Sequence, residues 1–269
     1  MKSLFGIDET QEKGDDAMYN PMELKGKTIL IAGASSGIGK ATAITISKLG
    51  AKVVLLARRE EKLHEVMTML EGESHDYHVF DLEDIDRIEA LVSSLKDKGL
   101  KLDGIAYAAA YAQKEVFADL DYALARKSMT INVHAFNELM RQVVTKDVLR
   151  SGSSVVVISS TAATHGDDQE LAYAMSKAAL EAAVRYHAQV LMDKKIRVNA
   201  IRPGWVKTPM LDDFLARYGE TEYGKKNMES QALGLIEPEE IANLTAFLLS
   251  DATTSITATN TLIDGGFLL

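Results

Sequence analysis

The chain contains no cysteine among its 269 residues. Disulfide bonds, thiolate metal sites and cysteine nucleophiles are therefore excluded, and this composition fits a reducing compartment. The sequence also lacks an apolar stretch near the roughly 20 residues that span a bilayer. Its polar start, MKSLFGIDETQEKGDD, lacks the apolar core of a secretory signal. We therefore expect a soluble, cytoplasmic protein.

An excess of positive charge is missing as well. The formal net charge of −9 argues against a broad binding surface for nucleic acid or anionic membranes. No linker, repeat or low-complexity segment divides the chain, and we predict no metal site. The contents of 46% hydrophobic and 26% charged residues are ordinary for a globular protein, so we expect a single domain.

Short apolar runs alternate with helical patterns along the chain. Runs such as KTILIA and KVVLLA are apolar almost throughout, which is typical of strands buried on both faces. The predicted strands are 27–32, 52–57, 77–80, 104–109, 154–159, 196–201 and 259–263, and the predicted helices are 40–49, 60–70, 85–96, 122–144, 172–192 and 239–249.

This alternation builds right-handed βαβ units, which place all the strands in one parallel sheet. It predicts an α/β, doubly wound Rossmann fold: a seven-stranded parallel sheet with helices on both faces. We assign residues 24–269 to this single domain and residues 1–23 to an N-terminal arm.

A glycine-rich loop, GASSGIG, follows the first predicted strand. Glycines permit positive φ and a close approach of the backbone to a pyrophosphate, while the next helix offers free N–H groups. Such a loop can also merely pack a helix on a strand, but its place between the two elements favours nucleotide binding. The predicted contacts are Gly33, Ser35, Ser36, Gly37, Ile38 and Gly39.

The residues at the end of the second strand indicate whether such a site prefers NAD or NADP. A carboxylate there would bond the ribose of NAD and repel a 2′-phosphate. This strand instead ends at Ala57 and is followed by Arg58 and Arg59. Because arginine forms charge-assisted bonds with phosphate, we predict NADP as the cofactor. The alternative is that these arginines only solvate the edge of a helix.

Tyr173 and Lys177 are spaced i and i+4, which places both on one face of a helix. A tyrosine with its ordinary pKa of about 10 is a poor acid–base catalyst at neutral pH, and a neighbouring ammonium lowers that pKa. Lysine can also hold ribose hydroxyls. By itself the pattern is weak, because a surface pair has the same spacing. Ser160, after the fifth strand, could bond a substrate carbonyl beside Tyr173.

Together these motifs resemble the short-chain dehydrogenase/reductase family, from about residue 24 to residue 266. The family's TGxxxGIG is here AGASSGIG, and Ser160 lies thirteen residues before Tyr173, as in the family. Asn132, within INV, stands at the family's asparagine position. The segments RVNAIRPG and DGG, at 197–204 and 264–266, resemble the sixth strand with its turn and the family's closing motif.

The resemblance implies a function and residue roles. A hydride would move between the nicotinamide and a carbonyl carbon while Tyr173 supplies the proton and Ser160 polarises the carbonyl. Lys177 would lower the tyrosine pKa, and the backbone carbonyl of Asn132 would hold a water on the proton path. The family is commonly tetrameric, so we expect a homo-oligomer, a tetramer or a dimer. Further implied cofactor contacts are Arg58, Arg59, Asp81, Leu82, Ala108, Ala109, Tyr173, Lys177, Pro203, Gly204, Val206 and Thr208.

One segment and two single residues depart from the family pattern. YAAA at 107–110 replaces NNAG, Ala32 replaces a threonine, and Ala258 replaces a glycine. None is a proton-transfer residue, so we expect effects on local stability and cofactor affinity rather than on chemistry. The altered NNAG segment motivates the alternative function, a non-catalytic nucleotide-binding regulatory or scaffold protein on the same fold.

Two segments, 161–172 and 210–232, are expected to shape the substrate pocket, the second as a mobile lid. His165, Asp167, Asp168 and Glu170 give the first segment an acidic character that disfavours a strongly anionic substrate. Trp205, the only tryptophan, is expected to pack in the core or in the pocket wall.

Gly234 and the EPEE segment at 237–240 resemble 3-oxoacyl-carrier-protein reductases, but sugar ketoreductases share them. The expected substrate is therefore a small carbonyl or alcohol, either free or linked to a carrier protein. The expected classes are a 3-oxoacyl thioester, a keto sugar or a related ketone. An acidic carrier protein would need a basic patch beside the active-site mouth. The candidates are Arg126, Lys127, Arg141 and Arg150.

Overall fold

A computed structural model describes residues 20–112, 118, 120–166 and 170–269. Most of the predicted arm, together with Asp167 and Asp168, lies outside these residues. Leu24, where the domain was predicted to begin, is fully buried, and its N–H donates to the Leu49 carbonyl at 2.8 Å. Within the described ranges, no helix combines the length and apolarity needed to cross a membrane.

Strands and helices alternate along the described chain. The strands are β1 Thr28–Ala32, β2 Lys52–Ala57, β3 Asp76–Val79, β4 Leu102–Tyr107, β5 Leu149–Ile158, β6 Arg197–Pro203 and β7 Asn260–Ile263. The α-helices are α1 Gly37–Lys48, α2 Glu60–Met67, α3 Ile88–Asp97, α4 Tyr122–Met129, α5 Ala135–Thr145, α6 Leu171–Val190, α7 Pro209–Tyr218, α8 Glu222–Glu229 and α9 Pro238–Leu249.

The strands form one parallel, seven-stranded sheet in the order β3-β2-β1-β4-β5-β6-β7. Two separate clusters of buried apolar side chains, one on each face, pack the helices against the sheet. Every residue of β1 and β2 after the first is buried, as expected for strands covered on both faces. The predicted fold class is confirmed. The strand order reverses between β1 and β4, and this reversal opens a crevice at the carboxyl ends of the strands.

Several predicted boundaries were wrong. Gly37, Ile38 and Gly39 belong to the first turn of α1, so the glycine loop is shorter than predicted. The predicted helix 122–144 is interrupted by a π-helical turn, Thr130–His134, that separates α4 from α5. The predicted lid 210–232 consists largely of helices α7 and α8. Its polar composition hid the helical periodicity, because only one face of α7 is buried.

Tyr107, the first residue of the YAAA segment, takes over a structural role. Its side chain is fully buried at the end of β4, and its hydroxyl donates to the Ile131 carbonyl at 2.5 Å. Its ring meets Phe136 edge-on, with 5.3 Å between the centroids. Ile131 lies in the π-helical turn directly before Asn132. Tyr107 therefore anchors this turn to the central sheet.

The alanines of the YAAA segment allow a close backbone approach. A Cβ atom on Gly33 would lie 2.6 Å from the Ala109 nitrogen, and the Ala108 N–H donates to the Ala32 carbonyl at 2.9 Å. Ala258 is different: its φ of 59° is left-handed. That conformation costs a non-glycine residue about 1 to 2 kcal/mol, which explains why glycine suits this position.

Candidate active site

A cavity of about 630 Å³ opens at the carboxyl ends of the strands. Open parallel sheets bind ligands at this edge, beside the reversal of strand order. All predicted cofactor contacts line the cavity: Gly33, Ser35, Ser36, Gly37, Ile38, Gly39, Arg58, Arg59, Asp81, Leu82, Ala108, Ala109, Tyr173, Lys177, Pro203, Gly204, Val206 and Thr208.

The glycine loop forms a cradle that other residues could not form. Gly33 has a φ of +84°, and a Cβ atom on Gly39 would lie 2.2 Å from the Gly33 carbonyl oxygen. Helix α1 begins at Gly37, and the side chain of Ser36 does not cap it. Backbone N–H groups with positive partial charge therefore face the cavity, where a pyrophosphate would fit.

Two arginines follow β2 at the edge of this cradle. The Arg59 guanidinium donates to the hydroxyls of Ser35 and Ser36, both at 3.0 Å. Arg58 lies beside the Asp81 carboxylate, with 3.6 Å between the nearest nitrogen and oxygen. The sequence predicted that both arginines lie at this site, but not that they contact different parts of it. Arg59 contacts the glycine loop, and Arg58 lies toward β3.

Tyr173 lies buried near the start of α6, beside Ser160. Ser160 follows β5 by two residues and caps a short 3-10 helix, Thr161–Ala163; its Oγ accepts from the Ala162 N–H at 3.1 Å. Burial raises the pKa of Tyr173, and the charge of Glu170 adds to this effect, whereas the hydrogen bond with Ser160 lowers the pKa. Tyr173 is therefore protonated at neutral pH and can donate a proton.

Lys177 lies one helical turn after Tyr173 and is also buried. Its Nζ donates to the Ile158 carbonyl at 2.7 Å and lies 5.4 Å from the centre of the Tyr173 ring. Burial lowers the pKa of Lys177 to about 7, and the nearby Glu181 carboxylate opposes this shift. The charge of Lys177 is thus sensitive to its surroundings in the neutral range.

Glu181, another helical turn along α6, was missed by sequence reasoning. One carboxylate oxygen accepts from Ser159 Oγ at 2.7 Å and from Arg202 Nε at 3.0 Å. The other accepts from Arg202 Nη2 at 2.6 Å and from Asn260 Nδ2 at 2.8 Å. We call these four residues the Glu181 cluster. It joins α6 to β6, to β7 and to Ser159, the residue before Ser160. Its i+4 spacing from Lys177 was the available sequence signal.

Asn132 lies behind the cavity rather than in its wall. Its side chain is fully buried; its Oδ1 accepts from the Tyr111 N–H at 2.7 Å. Its Nδ2 donates to the Tyr111 carbonyl at 2.9 Å and to Ser176 Oγ at 2.8 Å. Since Tyr111 lines the cavity, the Asn132 side chain positions that wall. The predicted water on its backbone carbonyl stays a prediction.

The other end of the cavity contains residues that sequence reasoning only partly anticipated. His165, Glu170 and Trp205 line it as considered, and Trp205 packs in the wall. Apart from Pro209, the α7 side chains belong to the segment 210–232 that was predicted to shape the substrate pocket. Phe267, near the chain end, was not predicted as a lining residue, because nothing local marks it. The further α7 lining residues are Pro209, Met210, Leu211, Asp213, Phe214, Arg217 and Tyr218.

The predicted basic patch does not lie at this mouth. None of its four residues lines the cavity, and three are beside carboxylates. Lys127 lies 2.8 Å from Glu83. The other two pairs are Arg141 with Glu138 at 2.7 Å and Arg150 with Asp103 at 3.3 Å.

Comparison with known proteins agrees with this geometry. The model of the family described as "Enoyl-(Acyl carrier protein) reductase" matches residues 33–268. The 3-oxoacyl-[acyl-carrier-protein] reductase FabG of Thermotoga maritima is 28% identical, over 92% of this chain and all of the relative. The short-chain dehydrogenase/reductase aba4 of Botryotinia fuckeliana is 32% identical over 90% of this chain and 96% of the relative.

Cofactor use differs among similar proteins. The NAD-dependent glycerol dehydrogenase of Listeria innocua is 32% identical over 96% of this chain and 98% of the relative. A crystal structure from Beutenbergia cavernae, proposed to be an NAD(P)-dependent gluconate 5-dehydrogenase, contains NADP at low occupancy. It is 26% identical with a TM-score of 0.83, covering 93% of this chain and 99% of that one.

Proposed function

Since the chain belongs to the short-chain dehydrogenase/reductase family and is an oxidoreductase of carbonyl and alcohol groups, we propose that it reduces a ketone with NADPH. The observation that carries this proposal is the meeting of Ser160, Tyr173 and Lys177 with the glycine cradle in one cavity. The family uses nicotinamide cofactors; the choice of NADP is our proposal.

The proposed mechanism assigns proton transfer to the residues of the chain. When bound, the nicotinamide supplies the hydride that the carbonyl carbon receives. Tyr173 donates its hydroxyl proton to the carbonyl oxygen, and Ser160 donates a hydrogen bond to the same oxygen. Lys177, when charged, stabilises the tyrosinate that remains. Asn132 positions Tyr111 in the wall, and the cradle with Arg58 and Arg59 would hold the phosphates of the cofactor.

The function is tested by NADPH oxidation against a panel of ketones, 3-oxoacyl thioesters and keto sugars. We expect turnover with at least one of them, and a secondary alcohol as its product. Tight NADPH binding without turnover on any carbonyl would instead favour the non-catalytic alternative.

For cofactor choice, Arg58→Ala is expected to raise the KM for NADPH about 10- to 100-fold, the value of one or two charge-assisted hydrogen bonds. The KM for NADH is expected to change little, because NADH lacks the 2′-phosphate. Arg185→Ala, on the exposed surface of α6, is the matched control. Equal losses with both cofactors would refute the 2′-phosphate assignment.

We also propose a homo-oligomer, supported by apolar side chains that α6 exposes, namely Met175, Tyr186 and Val190. Light scattering would give its mass. The cytoplasmic location and the domain boundary at residue 24 stay predictions from the sequence. The partner we propose is a small-molecule carbonyl or alcohol.

A further inference from the structure

The end of the cavity beyond Tyr173 has a wall of aromatic rings, formed by Trp205, Phe214, Tyr218 and Phe267, which we call the aromatic wall. The Trp205 and Phe214 rings are 4.6 Å apart and tilted by 34°. Phe214 lies 5.5 Å from Tyr218, and Trp205 lies 6.5 Å from Phe267. Such a wall favours a substrate with a face broad enough to cover an aromatic ring.

Polar side chains share this end of the cavity with the aromatic wall. His165 meets the Phe267 ring at 5.2 Å, and Asp213 and Arg217 stand one turn apart on α7. Glu170 lines the same space. Carboxylates accept hydrogen bonds and arginine donates them, so substrate hydroxyls can satisfy both kinds of group. A hydrocarbon substrate would cover these charges without bonding them, which is unfavourable.

The charge around the mouth does not suit an acidic carrier protein. Among the residues that line this end of the cavity, the acids Glu170 and Asp213 outnumber the one arginine, Arg217. The lysines on either side of α7 are beside carboxylates: Lys207 pairs with Glu237, and Lys225 lies 3.4 Å from Glu220. An acidic partner would meet like charge here, which opposes docking.

We propose that the substrate is a free keto sugar, that is, a cyclic ketone bearing several hydroxyls; this rests on the proposed ketone reduction. The C–H face of its ring lies on the aromatic wall, and its hydroxyls bond to Asp213, Glu170 and Arg217. The reduction adds a hydride from NADPH to the ketone carbon and the Tyr173 proton to its oxygen. The products are the ring alcohol and NADP⁺, and solvent returns the proton to Tyr173.

Matched ring ketones test this proposal. Pentahydroxycyclohexanone and cyclohexanone share one ring and differ in five hydroxyls, and acetoacetyl-CoA represents the thioesters. A site built to bond hydroxyls strongly rejects analogues that lack them. We expect kcat/KM for pentahydroxycyclohexanone to exceed the values for both other ketones about 100-fold or more.

Two neighbouring aspartates on α7 provide a variant and its control. Both side chains are exposed, but only Asp213 lines the cavity. Asp213→Ala is expected to lower kcat/KM about 10-fold for pentahydroxycyclohexanone and hardly at all for cyclohexanone, as for the loss of one hydrogen bond. Asp212→Ala is expected to leave both values unchanged.

The outcomes separate this proposal from the proposed function. Preference for cyclohexanone or acetoacetyl-CoA, or equal effects of the two aspartate variants, would overturn the keto-sugar assignment while ketone reduction stood. If none of the three ketones nor the wider carbonyl panel were reduced, the proposed function itself would fail.

Discussion

Tyr173→Phe is expected to lower kcat for ketone reduction about 10²- to 10⁴-fold, the usual contribution of a positioned proton donor. The variant removes one hydroxyl and keeps the ring, which is buried against Lys177 and the cavity wall. The glycine cradle and the arginines are untouched, so NADPH binding should change little. Steady-state kinetics and a fluorescence titration with NADPH measure the two effects separately.

Tyr186→Phe is the matched control for this prediction. Tyr186 lies on the same helix, α6, but its side chain is largely exposed and does not line the cavity. The control should retain full activity. Wild-type kcat in Tyr173→Phe would sink the proposed mechanism, whereas loss of NADPH binding in that variant would show that the hydroxyl acts on the cofactor instead.

Glu181→Gln is expected to lower the free energy of unfolding by about 2 to 3 kcal/mol, because it leaves Arg202 without its buried carboxylate partner. For a domain of this size that corresponds to a fall in melting temperature of about 4 to 12 °C. Glu71→Gln, in an exposed loop, is the matched control and should melt like the wild type. Thermal unfolding followed by circular dichroism measures both.

The same variant is expected to change the pH dependence of catalysis. Glu181 opposes the lowering of the Lys177 pKa by burial, and Arg202 is the positive group nearest to that carboxylate. Without this negative charge the pKa of Lys177 is expected to fall below its value of about 7, so the lysine loses its proton at lower pH. The alkaline limb of kcat against pH should therefore move to lower pH.

A double variant distinguishes the two roles of Glu181. Glu181→Leu with Arg202→Met removes both charges, which should restore part of the melting temperature. The pH profile should remain shifted, because Lys177 still lacks its carboxylate neighbour. A profile identical to wild type in Glu181→Gln would reduce the Glu181 cluster to a purely structural feature.

Much of the architecture was predictable because it depends on local patterns. Strands of a parallel sheet are buried on both faces, so β1, β2 and the end of β5 appear as continuous apolar runs. The glycine loop and the i, i+4 spacing of Tyr173 and Lys177 are equally local. These patterns were sufficient to predict the doubly wound fold and the residues that line the cofactor end of the cavity.

Other features depend on where distant segments meet. Polar helices α7 and α8 were read as a lid, since a helix with a narrow buried face has little apolar periodicity. The π-helical turn before α5 is held by Tyr107, which lies 24 residues from its partner Ile131. Local sequence patterns extend over fewer residues than this, so they do not reveal such a contact.

The sequence by itself determined the fold of this protein and predicted its proton-transfer residues, because both rest on periodicity and short spacings. Only the tertiary structure decided the aromatic wall and the Glu181 cluster. Trp205, Phe214 and Phe267 are brought together by the turn after β6, by α7 and by the chain end, and Glu181 reaches Asn260 across 79 residues. Packing at the carboxyl edge of the sheet creates these contacts, and side-chain packing between distant segments leaves no periodic trace in the chain.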